Sequence, residues 1–596
     1  MNNPFRSPST ASFFENLDFG RLRVLGRRGE VALAIIGAVT GAAAGVIVTA
    51  MGFVSRALHG LVYGIDLTER LSAARFENSL PLLVGPICGG ILLGILLYVL
   101  ARTRKKPMVD PIEANALHGG RLSLTDSVIV AVQNLVSNGF GASVGLEAGY
   151  TQLASGVASK IGHKLNLRRS DLRIVVGCGA AGAIAAAFSA PLTGAFYAFE
   201  LIIGTYSIVS LTPVVISALT AAMVAAYLSG ETATIDVGSF GAVVPADYLP
   251  ALLLGIICAL VGIGIMQMVS LIEETARRSS VPAHVRPAIG GIVVGLLAMV
   301  SPQVLSAGHG ALHLNLSHEI GVGMLVGLFL LKSLASAVSI GSGFRGGLFF
   351  ASLFMGALLG KLFAYAAPFF GGATLTPVIY AIIGMSAMAV SVIGGPLTMT
   401  FLALESTRDF PITALALAAV ITASLVVRTT FGYSFATWRF HLRGESIRSA
   451  HDVGWIRNLT VGRMMRADVR TANRRMSLEE FRSTFPLGST QRVILTDDDG
   501  HYAGMVLLAD VYASPVERDD QAQPLDRFIR YQDDYLLPGL NAKQAAAIFD
   551  RTESDALAVL STSTERKVVG LLTESHNLRR YCEELDRNRR DLSGEI

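Results

Sequence analysis

The sequence predicts an all-α polytopic membrane protein with an inverted internal repeat, followed by a C-terminal cytoplasmic α/β unit. Three observations lead there: an apolar, charge-poor composition, a crowd of short or broken apolar runs, and two glycine-rich blocks that recur at nearly one offset. Of 596 residues, 52% are hydrophobic and 16% charged, with 61 glycines and a mean hydropathy of +0.52. A soluble globular chain carries about a quarter charged residues. The net charge is +4, from 49 basic and 45 acidic side chains, so no large basic surface for nucleic acid is indicated. Cys88, Cys178, Cys258 and Cys582 stand singly, without a CxxC pair, which excludes a disulfide scaffold and a cysteine metal site.

Residues 1–30 are polar, with Arg21, Arg23, Arg27 and Arg28 just before the first apolar run, Val31–Val54. This is too basic, and the run starts too late, for a cleaved signal peptide. The arginines predict a cytoplasmic N-terminus, and Arg102, Arg104, Lys105 and Lys106 after the run Leu82–Leu100 return the chain to the same side. Further apolar stretches follow at Ile174–Phe188, Pro191–Ile208, Ala251–Val269, Ile289–Val300, Val322–Leu334, Leu348–Leu359, Val378–Val392 and Leu415–Val427. Most fall short of the roughly 20 residues of a straight crossing. Backbone that breaks at membrane depth must be buried in protein or line an aqueous cavity, because lipid offers it no hydrogen-bond partner. Such breaks point to transport. The membrane region is expected to span 31–442. From Arg443 to Ile596 the pattern becomes charged and mixed, with strand-like runs Arg492–Thr496 and Ala556–Leu560, and reads as a separate cytoplasmic domain.

The repeat is visible residue by residue. APLTGAFYAFE at 190–200 matches GPLTMTFLALE at 395–405, at an offset of 396−191 = 205, and GFGASVGLEAG at 139–149 matches GSGFRGGLFFA at 341–351, at 341−139 = 202. Repeats of this kind place the substrate near the bilayer midplane where the halves meet.

Glu147 is the only charged side chain between Asp126 and Lys160, and it lies in the first glycine-rich block. A carboxylate at membrane depth is costly unless it faces water, pairs or takes a proton. A helix start offers unsatisfied amides and about half a positive charge, so it holds an anion or a carboxylate that imitates one. Glu147 is therefore placed to compete with a permeating anion, and Phe349 is its counterpart in the second block. Two such starts facing one point would bind a dehydrated anion without a full charge to trap it. Arg345 and Lys332 would add positive potential near one mouth, unless they snorkel to the interface. Glu200 and Glu405, equivalent by repeat, are expected to pair with helix ends rather than to relay protons. His309 and His313 are spaced i,i+4 without an HExxH motif, and no metal site is expected.

These residues resemble the CLC family of chloride channels and anion/proton antiporters across essentially the whole chain. The stretch GCGAAGAIAAAFSAPLTGAFYAFEL, Gly177–Leu201, and the run GSGFRGGLFFASLFMGALLG, Gly341–Gly360, are similar to that family's signature regions. The family's GREGP motif is similar to GLEAG, Gly145–Gly149, which makes Glu147 the gating glutamate. Its GxFxP motif is similar to GLFFA, Gly347–Ala351. The resemblance thus implies an anion site lined by Gly145, Leu146, Gly347, Leu348 and Phe349, with the contacting tyrosine at Tyr433. Its GSGIP motif falls on PMVDP, Pro107–Pro111, with Met108 where a hydroxyl would bind the anion, a feature shared with the fluoride-exporting branch. The internal acid of proton-coupled members, one position after Glu200, is Leu201 here. That substitution favours passive or weakly coupled flux over exchange. The resemblance further implies a homodimer with one pore per subunit. The tail resembles a tandem CBS pair, about Leu459–Tyr512 and Leu525–Tyr581. Such modules grip adenine nucleotides with a Thr and an Asp; the first copy has Asp510 but Leu507, the second Thr573 but His576, so a structural tail is preferred and no cofactor is required. The expected function is passage of a small inorganic anion, chloride first, through a multi-pass protein of the cell membrane with both termini cytoplasmic. Anion/proton exchange, fluoride export included, is the first alternative, and a membrane-anchored nucleotide sensor the second. No constellation for covalent catalysis is present, so an enzyme is not expected.

Overall fold

The computed structural model describes residues 30–104, 108–230, 243–370, 375–435, 437–438, 459–513 and 525–593. The chain divides into two compact units, 1–452 and 453–596. That division and the expected boundary at 442/443 both fall within 439–458, and the arginines of 21–28 with Lys105 and Lys106 likewise lie outside the described residues.

The first unit is all helical among the described residues. Its first half contains α1 (Glu30–Tyr63), α2 (Leu80–Thr103), α3 (Pro111–Leu117), α4 (Leu124–Gly139), α5 (Glu147–Lys164), α6 (Arg169–Phe188), α7 (Pro191–Tyr197, continued by a π turn through Ile203) and α8 (Ile208–Ser229). Its second half repeats the series: α9 (Tyr248–Arg278), α10 (Arg286–Val300), α11 (His309–Ser317), α12 (Val322–Ser342), α13 (Phe349–Ala364), α14 (Pro377–Ile393), α15 (Pro396–Thr407) and α16 (Phe410–Thr430). Long, short and very short helices recur in the same order. Among the described residues seven helices are long and apolar enough to cross a bilayer, and the chain is a multi-pass membrane protein.

Two expectations shift. The run Pro191–Ile208 is not one element: the π turn ends at Gly204, whose φ of +81° suits a residue without a side chain, and Ile208 opens α8. The helices α4 and α5 had no counterpart among the expected apolar runs. Both are buried on faces of Ser, Asn, Gln and Gly rather than on leucines, as close helix packing within a membrane favours. The same closeness is seen between α13 and α14, where a Cβ on Gly356 would stand 2.3 Å from the Gly384 carbonyl oxygen.

The second unit holds two α/β modules. In the first, β1 (Thr471–Asn473) runs parallel to β2 (Arg492–Thr496), which pairs antiparallel with β3 (Tyr502–Leu507) in register Val493↔Val506. In the second, β4 (Ala556–Leu560) pairs antiparallel with β5 (Val568–Thr573) in register Ala558↔Leu571. Each module buries its own apolar core, around Phe481 and Val506 in one and Phe549 and Leu557 in the other.

Candidate functional site

The two glycine-rich blocks meet. Gly145 N donates to the Gly347 carbonyl at 2.9 Å and Gly347 N returns the bond to Gly145 at 3.3 Å, a reciprocal bridge between repeat-equivalent residues. Reciprocity of this kind is what a two-fold relation between the halves produces. Directly after the bridge the chain enters α5 at Glu147 and α13 at Phe349, and neither helix start is capped by the side chain before it. First-turn amides have no acceptor within their own helix. Two amide-rich ends thus begin within one bridge of each other.

Glu147 fills one of them. The residue is 4% exposed, and its Oε2 has no hydrogen-bond partner among the described residues. The carboxylate lies so close over Gly145 that a Cβ there would stand 1.8 Å from Oε2. A Cβ on Gly347 would meet nothing nearer than 3.7 Å. The same position of the repeat is therefore occupied in one half and open in the other.

The loops around this point are held by polar residues of α4. Asn134 donates to the carbonyls of Gly145 and Arg345, both at 3.0 Å, and accepts from Gly149 N at 2.8 Å. Asn138, one turn on, donates to the Val144 carbonyl at 2.7 Å and to Ser306 Oγ at 2.9 Å, while Ser55 Oγ donates to its Oδ1 at 2.7 Å. None of these was singled out from the sequence. The run QNLVSN, polar at i and i+4 inside an apolar helix, was the available signal.

Two cavities border this point. One, of about 410 Å³, is bordered by Arg56, His59, Arg70, Ser306, His309 and Phe350. The other, of about 490 Å³, is bordered by Met108, Asp110, Tyr197, Arg345, Phe349 and Phe435. Glu147 is the one residue common to both linings among the described residues. Beside it Phe188 stacks between the two phenylalanines of the second block, its ring centroid 4.9 Å from Phe349 and 6.1 Å from Phe350.

A second pair of helix starts meets at α7 and α15. Glu200 accepts from Leu397 N at 3.0 Å, Thr398 N at 2.9 Å and Thr398 Oγ1 at 2.7 Å. Glu405 accepts from Leu192 N and Thr193 N at 2.8 Å and from Thr193 Oγ1 at 2.7 Å. Each half caps the other.

A family profile described as voltage gated chloride channel matches residues 89–428, more than half of the chain. The chain belongs to the CLC family. A ClcB-like chloride channel protein of Ralstonia nicotianae is 31% identical over 58% of this chain and 82% of its own length. The voltage-gated ClC-type chloride channel ClcB of Shigella flexneri is 28% identical over 62% of this chain and 90% of its own. Among solved structures, a slow cyanobacterial Cl⁻/H⁺ antiporter superposes with a TM-score of 0.59 at 20% identity, covering 70% of this chain and 98% of that one. A eukaryotic CLC transporter gives 0.57 at 18% identity, covering 91% and 97%. Anion transport is the family's activity.

Gly145, Leu146, Gly347, Leu348 and Phe349 lie at the bridged helix starts, Met108 lines the second cavity with its thioether in place of a hydroxyl, and Leu201 lines it as well. Tyr433 borders neither cavity; its ring packs with Phe431 and Trp438, at centroid distances of 6.2 and 5.5 Å, and the aromatic residue of that segment that lines the second cavity is Phe435. Arg345 lines the second cavity, but Lys332 is not a snorkelling lysine: it is fully buried and donates to the carbonyls of Val304 at 3.0 Å and Ser306 at 2.8 Å. In the tail, Asp510 is ion-paired to Arg530 at 2.7 Å, and Thr573 Oγ1 accepts from His576 N at 3.3 Å. Burial, then Arg579, Arg466 and Arg580, hold the His576 imidazole below its ordinary pKa.

Proposed function

We propose that the chain conducts chloride across the cell membrane, passively or with weak proton coupling, and that Glu147 is the gate. The observation that carries this reading is that Glu147 alone borders both cavities among the described residues. Ionised, its carboxylate occupies the position of an anion at the α5 start; protonated or displaced, it vacates amides that a chloride ion then takes. Amides and helix dipoles bind such an ion firmly enough to strip its water and weakly enough to release it. A membrane potential supplies about 2.3 kcal/mol per unit charge per 100 mV, enough to drive net movement without a coupled ion. Two features favour weak coupling. Leu201 is apolar where the family's inner acid stands, and the neighbouring Glu200 already accepts three hydrogen bonds.

The chain acts as a homodimer with cytoplasmic termini, as a conduit rather than an enzyme. Its tail is structural, since Asp510 is engaged by Arg530 and His576 stands where a ribose-gripping acid would be. Exchange is the second reading. Asp110 and Glu273 give the second cavity two acids within reach of a proton route, and two similar solved structures are a Cl⁻/H⁺ and a fluoride/proton antiporter. Liposomes holding the full chain decide between them. Passive flux predicts chloride efflux that collapses with the potential and no uphill movement under an imposed pH gradient. Uphill movement of chloride or fluoride under that gradient establishes exchange and overturns the passive reading.

A further inference from the structure

The cavity on the α1 side of Glu147 differs from the one on the other side in charge. Its lining brings Arg56 from the last turns of α1, Arg70 from the connection after it, and His59, His309 and His313 from both halves of the repeat. Glu147, at its floor, is the one acid in that lining among the described residues. The opposite cavity is mixed, with Asp110 and Glu273 beside Arg277, Arg286 and Arg345.

Beneath the cationic cavity lies Lys332, fully buried, with its two hydrogen bonds spent on carbonyls of the segment that carries Ser306 into the lining. Lys332 therefore holds the Val304–Ser306 segment in place beside the cavity. His309 stacks face to face on Phe350, with ring centroids 3.5 Å apart, so one wall is fixed in place. A concave site with one sign of charge and low-dielectric walls concentrates counter-ions, raising their local level by about 10- to 1,000-fold.

We propose that this cavity is an anion-binding site in its own right, in which a monovalent inorganic anion rests against Arg70 and Arg56 before it displaces Glu147. The site lies one step outside the position that the Glu147 carboxylate occupies over Gly145, and the inference rests on the reading of the chain as an anion conduit. Arg56, Arg70 and His313 each have other interactions within the protein. The anion joins those interactions and need not find the side chains vacant.

Bromide is the probe. Crystals of the full chain grown in bromide are expected to show an anomalous peak within hydrogen-bond distance of the Arg70 guanidinium, in addition to density at the Gly145 and Gly347 loops. Arg70→Gln removes the first peak and keeps the second, and it raises the half-saturating anion concentration for flux from that face by about tenfold, the lower end of focusing by a charged cleft. Arg70→Lys keeps the charge and restores most of the loss. Where Arg70→Gln does not fold, the native chain still decides: half-saturation from the cationic face rises with inert salt, and that from the other face does not. Bromide at the loops but absent from the cavity overturns the capture site while the conduit stands. Bromide at neither place overturns both.

Discussion

The molecule contains two pairs of opposed helix starts, and they differ in how they are filled. At α7 and α15 the halves exchange carboxylates: Glu405 caps one start and Glu200 the other, with three donors each at nearly equal distances. That junction is symmetric and closed. At α5 and α13 only one half has an acid, and its carboxylate lies over Gly145, just before its own helix. The counterpart is Phe349, which leaves its helix start without a side-chain cap. The same device, a helix N-terminus that wants negative charge, acts as a fastener where the repeat is obeyed and, in the proposed reading, as an anion site where it is broken.

Breaking the fastener gives the largest effect on stability. Hydrogen bonds to a charged acceptor contribute about 1.5–3 kcal/mol each. Either Glu200→Ala or Glu405→Ala is then expected to cost on the order of 5 kcal/mol, read as a loss of melting temperature in detergent. Equal losses for the two variants support a shared structural role. A Glu200 variant that is stable but loses proton coupling would move that acid to the transport pathway.

The loop lock comes next. Asn134→Ala leaves the Gly149 amide and the Gly145 and Arg345 carbonyls without their common partner, at about 2 kcal/mol. Thermal unfolding and chloride flux should fall together, because the loops that carry Glu147 loosen.

The sharpest contrast with little change in stability is between the bridged glycines. Gly145→Ala puts a methyl group where the Glu147 carboxylate rests, whereas Gly347→Ala makes only an ordinary van der Waals contact, 3.7 Å from the Ala148 Cβ. The first is expected to shift flux at neutral pH by about tenfold, the equivalent of 1.4 kcal/mol, and the second by less than about twofold. Equal responses in a flux assay would mean that the carboxylate does not hold the gate.

The smallest effect is in the tail. The Asp510–Arg530 pair is exposed, so Asp510→Ala should change the melting temperature little, about 0.5 kcal/mol or less. Added AMP or ATP should leave flux and melting of the full chain unchanged, and a clear upward shift in melting would assign the tail a nucleotide.

Much of this was legible because it is written in local pattern. The two glycine blocks, the isolated Glu147 and the paired Glu200 and Glu405 stand out against apolar surroundings, and their common offset predicted that the halves meet. The helices α4 and α5 were not legible, since a membrane helix buried on Ser, Asn and Gly lacks the apolar signal that marks a span. The partners of Asn134 were hidden for another reason: Arg345 lies 211 residues away, and no spacing rule reaches that far. The aromatic that borders the second cavity from the segment after α16, Phe435, was not singled out, because motif position fixes a residue's neighbourhood but not which side chain turns to a cavity. The lining of Arg56, Arg70 and His309 is assembled from the end of α1, the connection after it and the start of α11, each unremarkable alone.

The central claim is that one carboxylate separates the two cavities and holds the place of an anion. Chloride efflux from liposomes containing Glu147→Ala, compared with the native chain from pH 4 to pH 8, tests it most directly. The account predicts that native flux rises on acidification and that the variant stays open and insensitive to pH throughout. Native pH dependence retained in the variant would contradict it.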